Sequence, residues 1–349
     1  MTLAPSPPWP GAVGRLALLC LALATGCGEQ DIRAIQPLAA PSPTTSTDPP
    51  EPDPPDPGPV GGRDRGRVQV RDGNLLTDKG TRLRGVNLGI DSGTLPAVLE
   101  PDLFAELSGG SGLNAFHVYL ENSGDVTGAR VADADALVDM TAKAGMYLVL
   151  GIGAGSRGGT FDLEKIRAFW EFYAPRYSAR THVLYEIRNI PDTGCDVPYS
   201  SRALAMQRTI YGLIRELAPS THVAMFSFRA QPTALALEAN LAALEGTVDW
   251  SKASVAFHME SCAGADNLVE LLEVTRAHNI AAFSSELQFR TSFDKTAQLE
   301  RERVGWFSFE WLVLSRDLGN FLDAHTAAGV TWCPDFGTWP EDSETCSTP

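Results

Sequence analysis

The sequence predicts an α/β fold: a single (β/α)8 TIM barrel preceded by a short N-terminal β-hairpin. Three observations carry that expectation. From Arg67 onward, eight short apolar runs alternate with stretches whose apolar residues recur every three or four positions. Eight such units in the remaining 283 residues match the usual ~250-residue size of an eightfold barrel. The first run ends Gly85-Val-Asn-Leu-Gly89-Ile-Asp91, without the GxGxxG spacing that a doubly wound nucleotide-binding sheet would carry there.

The elements follow in order. Val68 to Leu76 reads as a hairpin with its turn at Asp72-Gly73. The eight strands are expected at Leu83–Gly89, Asn114–Leu120, Met146–Gly153, His182–Asn189, His222–Phe228, Ser254–Glu260, Ala281–Leu287 and Gly305–Leu312. Amphipathic helices are expected between them, at Asp133–Lys143, Leu163–Tyr173, Arg202–Leu217 and Asn267–His278 among others. Ile166, Phe169, Trp170 and Tyr173 share one helical face and are assigned to the core.

The N-terminal segment is a different material, since fourteen of the 24 prolines lie in residues 1–60. Residues 1–26 resemble a lipoprotein signal peptide. Leu16 to Ala24 is an apolar run of nine residues, which as helix spans roughly 13 Å against a ~30 Å bilayer core. Ala24-Thr25-Gly26 before Cys27 resembles a bacterial lipobox, which makes Cys27 the expected lipidation site. Residues 27–66, with the lipidated cysteine and a Pro-rich linker, cannot bury a core, and the 23 residues 37–59 extended as polyproline II would reach roughly 70 Å. The expected location is therefore an exported bacterial membrane lipoprotein, at the outer membrane or cell surface. Residues 67–349 form the barrel.

Charge excludes some partners. With 28 Lys+Arg against 43 Asp+Glu the net charge is −15, which argues against nucleic acid and against docking on anionic lipid through basic residues. The membrane is expected to be met through the lipid anchor only, and nothing in the sequence calls for more than a monomer. Four cysteines remain beyond the leader and the lipidation position Cys27, and an exported chain with an even count suggests two disulfides. Cys195–Cys262, joining the loops after strands four and six, and Cys333–Cys346 are the preferred pairing of three.

Function in such a barrel sits at the C-terminal ends of the strands. Those ends offer Asn87 and Asp91, His117 and Glu121, Gly153, Asn189-Ile190-Pro191, His258-Met-Glu260, Ser285-Glu286 and Glu310-Trp311. Carboxylates and aromatics dominate, with no serine elbow or basic cluster. A divalent metal on His117, His258, Glu260 and Glu286 is chemically open, but the expectation is no metal and no cofactor.

These rim residues resemble the cellulase-like family five of the glycoside hydrolases over about residues 68–320. Asn74-Leu-Leu-Thr-Asp-Lys-Gly-Thr-Arg-Leu-Arg-Gly-Val-Asn87 is similar to its opening hairpin and first strand. Val183-Leu-Tyr-Glu-Ile-Arg-Asn189-Ile190-Pro191 is similar to its fourth-strand signature Tyr-Glu-Ile-x-Asn-Glu-Pro, Phe283-Ser-Ser-Glu286 to its seventh strand, and Gly305-Trp-Phe-Ser-Phe-Glu-Trp311 to its eighth. The resemblance implies a retaining pattern with Glu286 as nucleophile, Trp311 stacking on sugar, and Asn189, His258 and His117 binding a β-linked polysaccharide or oligosaccharide. It also implies an acid/base at position 190, where this chain has isoleucine. Glu260, in place of the family's nucleophile-bonding tyrosine, should then lie near Glu286, and Glu260 and Glu121 are the candidate relocated acids. Hydrolysis of O-glycosidic bonds and binding without cleavage both stay open. Glu186 reads as a buried structural carboxylate rather than the missing acid.

Overall fold

The computed structural model describes residues 65–89, 101–108, 112–120, 129–153, 163–192, 194–260, 262, 264–287, 294–308 and 318–330. A two-stranded hairpin comes first, β1 (Gln69–Arg71) and β2 (Asn74–Leu76), paired antiparallel. Its turn residues, Asp72 at φ 50° and Gly73 at φ 70°, are both left-handed, the type I′ geometry that the Asp-Gly pair favours.

Eight parallel strands then close into a barrel: β3 (Arg84–Gly89), β4 (Ala115–Tyr119), β5 (Tyr147–Gly151), β6 (Val183–Glu186), β7 (Val223–Phe228), β8 (Ala253–His258), β9 (Ala281–Leu287) and β10 (Gly305–Ser308). Neighbours in space are neighbours in sequence, and β10 pairs with both β9 and β3. The (β/α)8 expectation holds, hairpin included. Helices α1 (Pro101–Ser108), α2 (Ala129–Ala144), α3 (Leu163–Arg176), α4 (Ser201–Leu217), α5 (Ala234–Ala243), α6 (Leu268–Ala277), α7 (Asp294–Arg301) and α8 (Leu318–Ala327) alternate with the strands. No helix among the described residues is long and apolar enough to cross a membrane.

Strand alternation sorts side chains into two cores. Phe116, Val118, Leu148, Leu150, Tyr185, Val255 and Phe257 face outward into a layer completed by the helices. There Ile166, Phe169, Trp170 and Tyr173 are all buried, and Trp170 Nε1 donates to the Ile187 carbonyl at 2.9 Å, fixing α3 against the end of β6. Ala115, Tyr147, Val149, Leu184, Ala224, Ala256, Phe283 and Phe307 fill the interior, and Val68, Val70 and Leu75 of the hairpin region close its lower end. Gly85 belongs to the same interior. A Cβ on it would lie 2.4 Å from the Phe307 ring, so glycine here makes room for that plug.

The chain enters at this closed end. Arg65 lies over the Tyr147 ring, bonds Asp78 at 2.9 Å and the Gly145 carbonyl at 3.0 Å, and Tyr147 Oη donates to the Gly66 carbonyl at 2.7 Å. Arg67 adds a bond to the Ser178 carbonyl at 2.8 Å.

The register slips in the β8–β9 and β9–β10 ladders, and two further departures lie at the end opposite the hairpin. The strand expected to reach Asn189 stops pairing as β6 at Glu186. Beyond it Asn189 N donates to the Ile152 carbonyl at 2.9 Å, Ile190 turns to φ 46°, and Pro191 has no N–H to continue a ladder. In β7 the register slips between Met225 and Phe228, with Phe226 at φ 72° and Ser227 at φ 46°. A bulge of this kind re-aims a side chain, and left-handed φ at bulky residues costs of order 1–3 kcal/mol each.

Candidate active site

The site is assembled from five strand ends at the mouth of the barrel. Because inward positions recur every second residue, Ala115 in the inner core places His117 and Tyr119 on the same inner face of β4. Leu184 does the same for Glu186 on β6. Ala256 does so for His258 on β8. A register slip between Phe257 and His258 sets His258 opposite Glu286 on β9.

Glu286 is the focus. Tyr119 Oη donates to its Oε2 at 3.3 Å, and Asn189 Nδ2 reaches the same oxygen at 3.5 Å. His258 Nε2 also lies 3.5 Å from it. Glu286 is 8% exposed. Burial pushes its carboxyl up to about 7; His117 opposes this, the Glu186 charge adds to it, and the bonds from Tyr119 and Asn189 pull it back. At neutral pH the group is divided between acid and carboxylate.

Beneath it lies a fully buried pair. His117 Nε2 sits 2.7 Å from Glu186 Oε2, and its Nδ1 lies 2.9 Å from both the Asn87 amide nitrogen and the Ser285 carbonyl. Burial alone would raise Glu186, but His117, helped by Ser227 and His258, wins and holds it below the usual carboxylate range. Glu186 therefore stays ionised and only accepts, which puts a proton on His117 Nε2. Burial drives His258 down to about 4 against the pull of Glu186 and Glu260, so its ring meets Glu286 neutral.

The bulge in β7 delivers Ser227 to this network. Its Oγ donates to Asn189 Oδ1 at 3.3 Å and lies 3.5 Å from His258 Nε2. With its carbonyl oxygen so occupied, the Asn189 amide turns Nδ2 toward Glu286.

Four residues anticipated from sequence, Glu286, Asn189, His258 and His117, thus come together. Glu260 does not join them. It is turned toward the rim, where its Oε2 lies 3.5 Å from Arg229 Nε, and the carboxylate beside Glu286 is Glu186 instead. The four groups weighed for a metal do not gather as a set, although His258 and Glu286 approach each other; among the described residues Cys195, Asp196 and Cys262 are the group so clustered, and its two cysteines are disulfide-bonded. That disulfide joins the loops after β6 and β8 as expected. Glu121, Trp311, Cys27 and the pair Cys333 and Cys346 lie outside the described residues. Tyr119 and Ser227 were not anticipated. Tyr119 was within reach, two positions beyond His117 on one strand and so on the same face.

The architecture can be matched to solved structures. The cellulase Cel5C_n superposes with a TM-score of 0.56 at 18% identity, over 78% of this chain and 95% of that one. The barrel shares the fold of that cellulase. The β-glucanase SdGluc5_26A from Saccharophagus degradans gives 0.55 at 17% identity over 74% and 89%. The β-mannanase of Thermomonospora fusca, in its mannotriose complex, gives 0.53 at 16% identity over 70% and 84%. Identities this low establish a shared cellulase-like fold. No family model matches the sequence, and no curated protein matches it in a sequence search.

Proposed function

We propose that this chain is an exported, lipid-anchored barrel that binds a β-linked glycan at its mouth and keeps a nucleophile without its acid. One observation carries the reading: Glu286 stands at the mouth with three side chains gathered on one of its oxygens, while Ile190 occupies the position where the resembled hydrolases hold the proton donor. A retaining glycosidase needs two carboxyl groups about 5–5.5 Å apart. Isoleucine moves no proton, Glu260 is paired with Arg229, and the other candidate donor, Glu121, lies outside the described residues. General acid catalysis is worth about 10²–10⁴-fold, so turnover is confined to glycosides whose leaving group departs unprotonated. For natural glycans the protein is then chiefly a binding protein, with Asn189, His258 and Trp311 as its sugar contacts.

The comparison structures support the glycan class, since one β-glucanase is described in complex with cellotetraose and the β-mannanase with mannotriose. The Ala-Thr-Gly-Cys27 segment supports export and lipidation.

The test uses the full chain, disulfide intact, beside Glu286→Ala. Binding isotherms with cellotetraose and mannotriose are expected to show saturable binding, and 2,4-dinitrophenyl β-glycosides are expected to turn over in a manner lost in E286A. Failure of both assays sinks the proposal, and rapid hydrolysis of the unactivated oligosaccharides would show that a proton donor is present after all. Lipidation is checked by fatty-acid labelling that disappears in Cys27→Ala.

A further inference from the structure

Position 260 carries glutamate where the resembled enzymes place the tyrosine that bonds the nucleophile, and that glutamate is engaged at the rim with Arg229. Glu286 nevertheless has a phenol donor. Tyr119 comes from β4, the second barrel strand, on the far side of the closed ring from β8. Its Oη reaches Glu286 Oε2 at 3.3 Å.

Three features fix the ring in that place. It packs edge-on against His117, with centroids 4.5 Å apart. His117 is held in turn by Glu186, Asn87 and the Ser285 carbonyl. Gly151 on β5 lies beside the ring and lets Glu186 approach, since a Cβ there would crowd the Glu186 carbonyl and Cβ at 3.2 and 3.3 Å while only touching Tyr119 Cδ1 at 3.4 Å. Tyr119 is 3% exposed. A phenol so enclosed, between Glu186 and Glu286, is held well above its ordinary range first by burial and then by those two charges. It is a permanent donor, unsuited to attack or to give up its proton.

We propose that Tyr119 is the positioning residue of Glu286, a phenol supplied from the second strand in place of the sixth. By donating to Oε2, together with Asn189, it fixes the carboxyl's rotation and leaves Oε1 as the oxygen presented to an anomeric carbon. Moving the donor to β4 also frees position 260 for the rim pair with Arg229. The inference rests on reading Glu286 as the nucleophile, but the contact is measurable without any turnover.

The experiment titrates Glu286 directly. The full chain is labelled with [δ-13C]glutamate, and the Glu286 signal is identified by its absence in Glu286→Gln. The wild-type midpoint is expected near 7. Tyr119→Phe removes a donor to the charged form and is expected to raise the midpoint by about one unit. Val149→Ala, which opens space in the same interior without removing a donor, is expected to leave it in place. A wild-type midpoint in folded Y119F, or an equal shift in V149A, overturns the proposal. Should Y119F fail to fold, [ζ-13C]tyrosine in the wild type replaces it: the Tyr119 signal should inflect at the midpoint of Glu286 and lose that inflection in E286Q. A flat signal through that range overturns the proposal equally. A silent glycoside assay beside an intact Tyr119 contact would count against the functional reading alone.

Discussion

Replacing Glu286 by glutamine should stabilise the folded protein at pH 8 and leave it unchanged at pH 4. The carboxyl titrates near 4.5 in an unfolded chain and is pushed up to about 7 in the fold. Between those two values the folded state holds a proton that the unfolded state has released, so stability falls as pH rises through the window. Below 4.5 both states are protonated and no penalty exists; above 7 both are ionised and the penalty is constant. A gap of about 2.5 units at about 1.4 kcal/mol per unit gives roughly 3 kcal/mol. The slight exposure of Glu286 keeps this an upper figure. Glutamine has the same shape, accepts from Tyr119 and Asn189 through its carbonyl oxygen, and never ionises. Urea unfolding of both proteins between pH 4 and 8.5 measures the difference. The midpoint of E286Q should match wild type at pH 4 and exceed it by about 1 M at pH 8. Curves that track each other across the whole range would mean that Glu286 is solvated and ordinary, and the case for a buried, strained carboxyl at the mouth would fall.

Two further outcomes follow from the same site. If the proposed function holds, Ile190→Glu places a carboxyl where the resembled hydrolases hold their acid and relieves a β-branched residue at φ 46°; turnover of glycosides with poor leaving groups should rise about 10²–10⁴-fold, with little change on dinitrophenyl glycosides, in paired kcat/KM measurements. Cys195→Ser with Cys262→Ser opens a loop closure spanning 67 residues and should cost roughly 4 kcal/mol in urea unfolding on the chain-entropy account; an unchanged midpoint would show that the loops after β6 and β8 are held by their hydrogen bonds alone.

The barrel was legible because its signals are local. Alternating apolar runs and amphipathic helices mark each unit, and Asp72-Gly73 names its own turn type. Glu286, Asn189, His258 and His117 could be placed because each lies in or just beyond a barrel strand, in a recognisable segment. What escaped was set by closure and by irregular backbone. That Tyr119 meets Glu286 across the ring depends on the stagger of eight strands, which no window of sequence contains. The early end of β6 and the bulge in β7 carry no glycine to announce them, since Ile190, Phe226 and Ser227 all take left-handed φ. Glu260 was expected inside because strand periodicity was extended one step too far; β8 ends at His258 and the next inward position has already become rim.

The clamp formed by Arg65, Gly66 and Arg67 on Tyr147, Gly145 and Ser178 makes the barrel a molecule with a handle. Arg65 is thus held at the closed end, at the roots of β5 and β6, while Glu286 opens at the other. A label coupled at Arg65 would stand a full strand length from the mouth and leave it open.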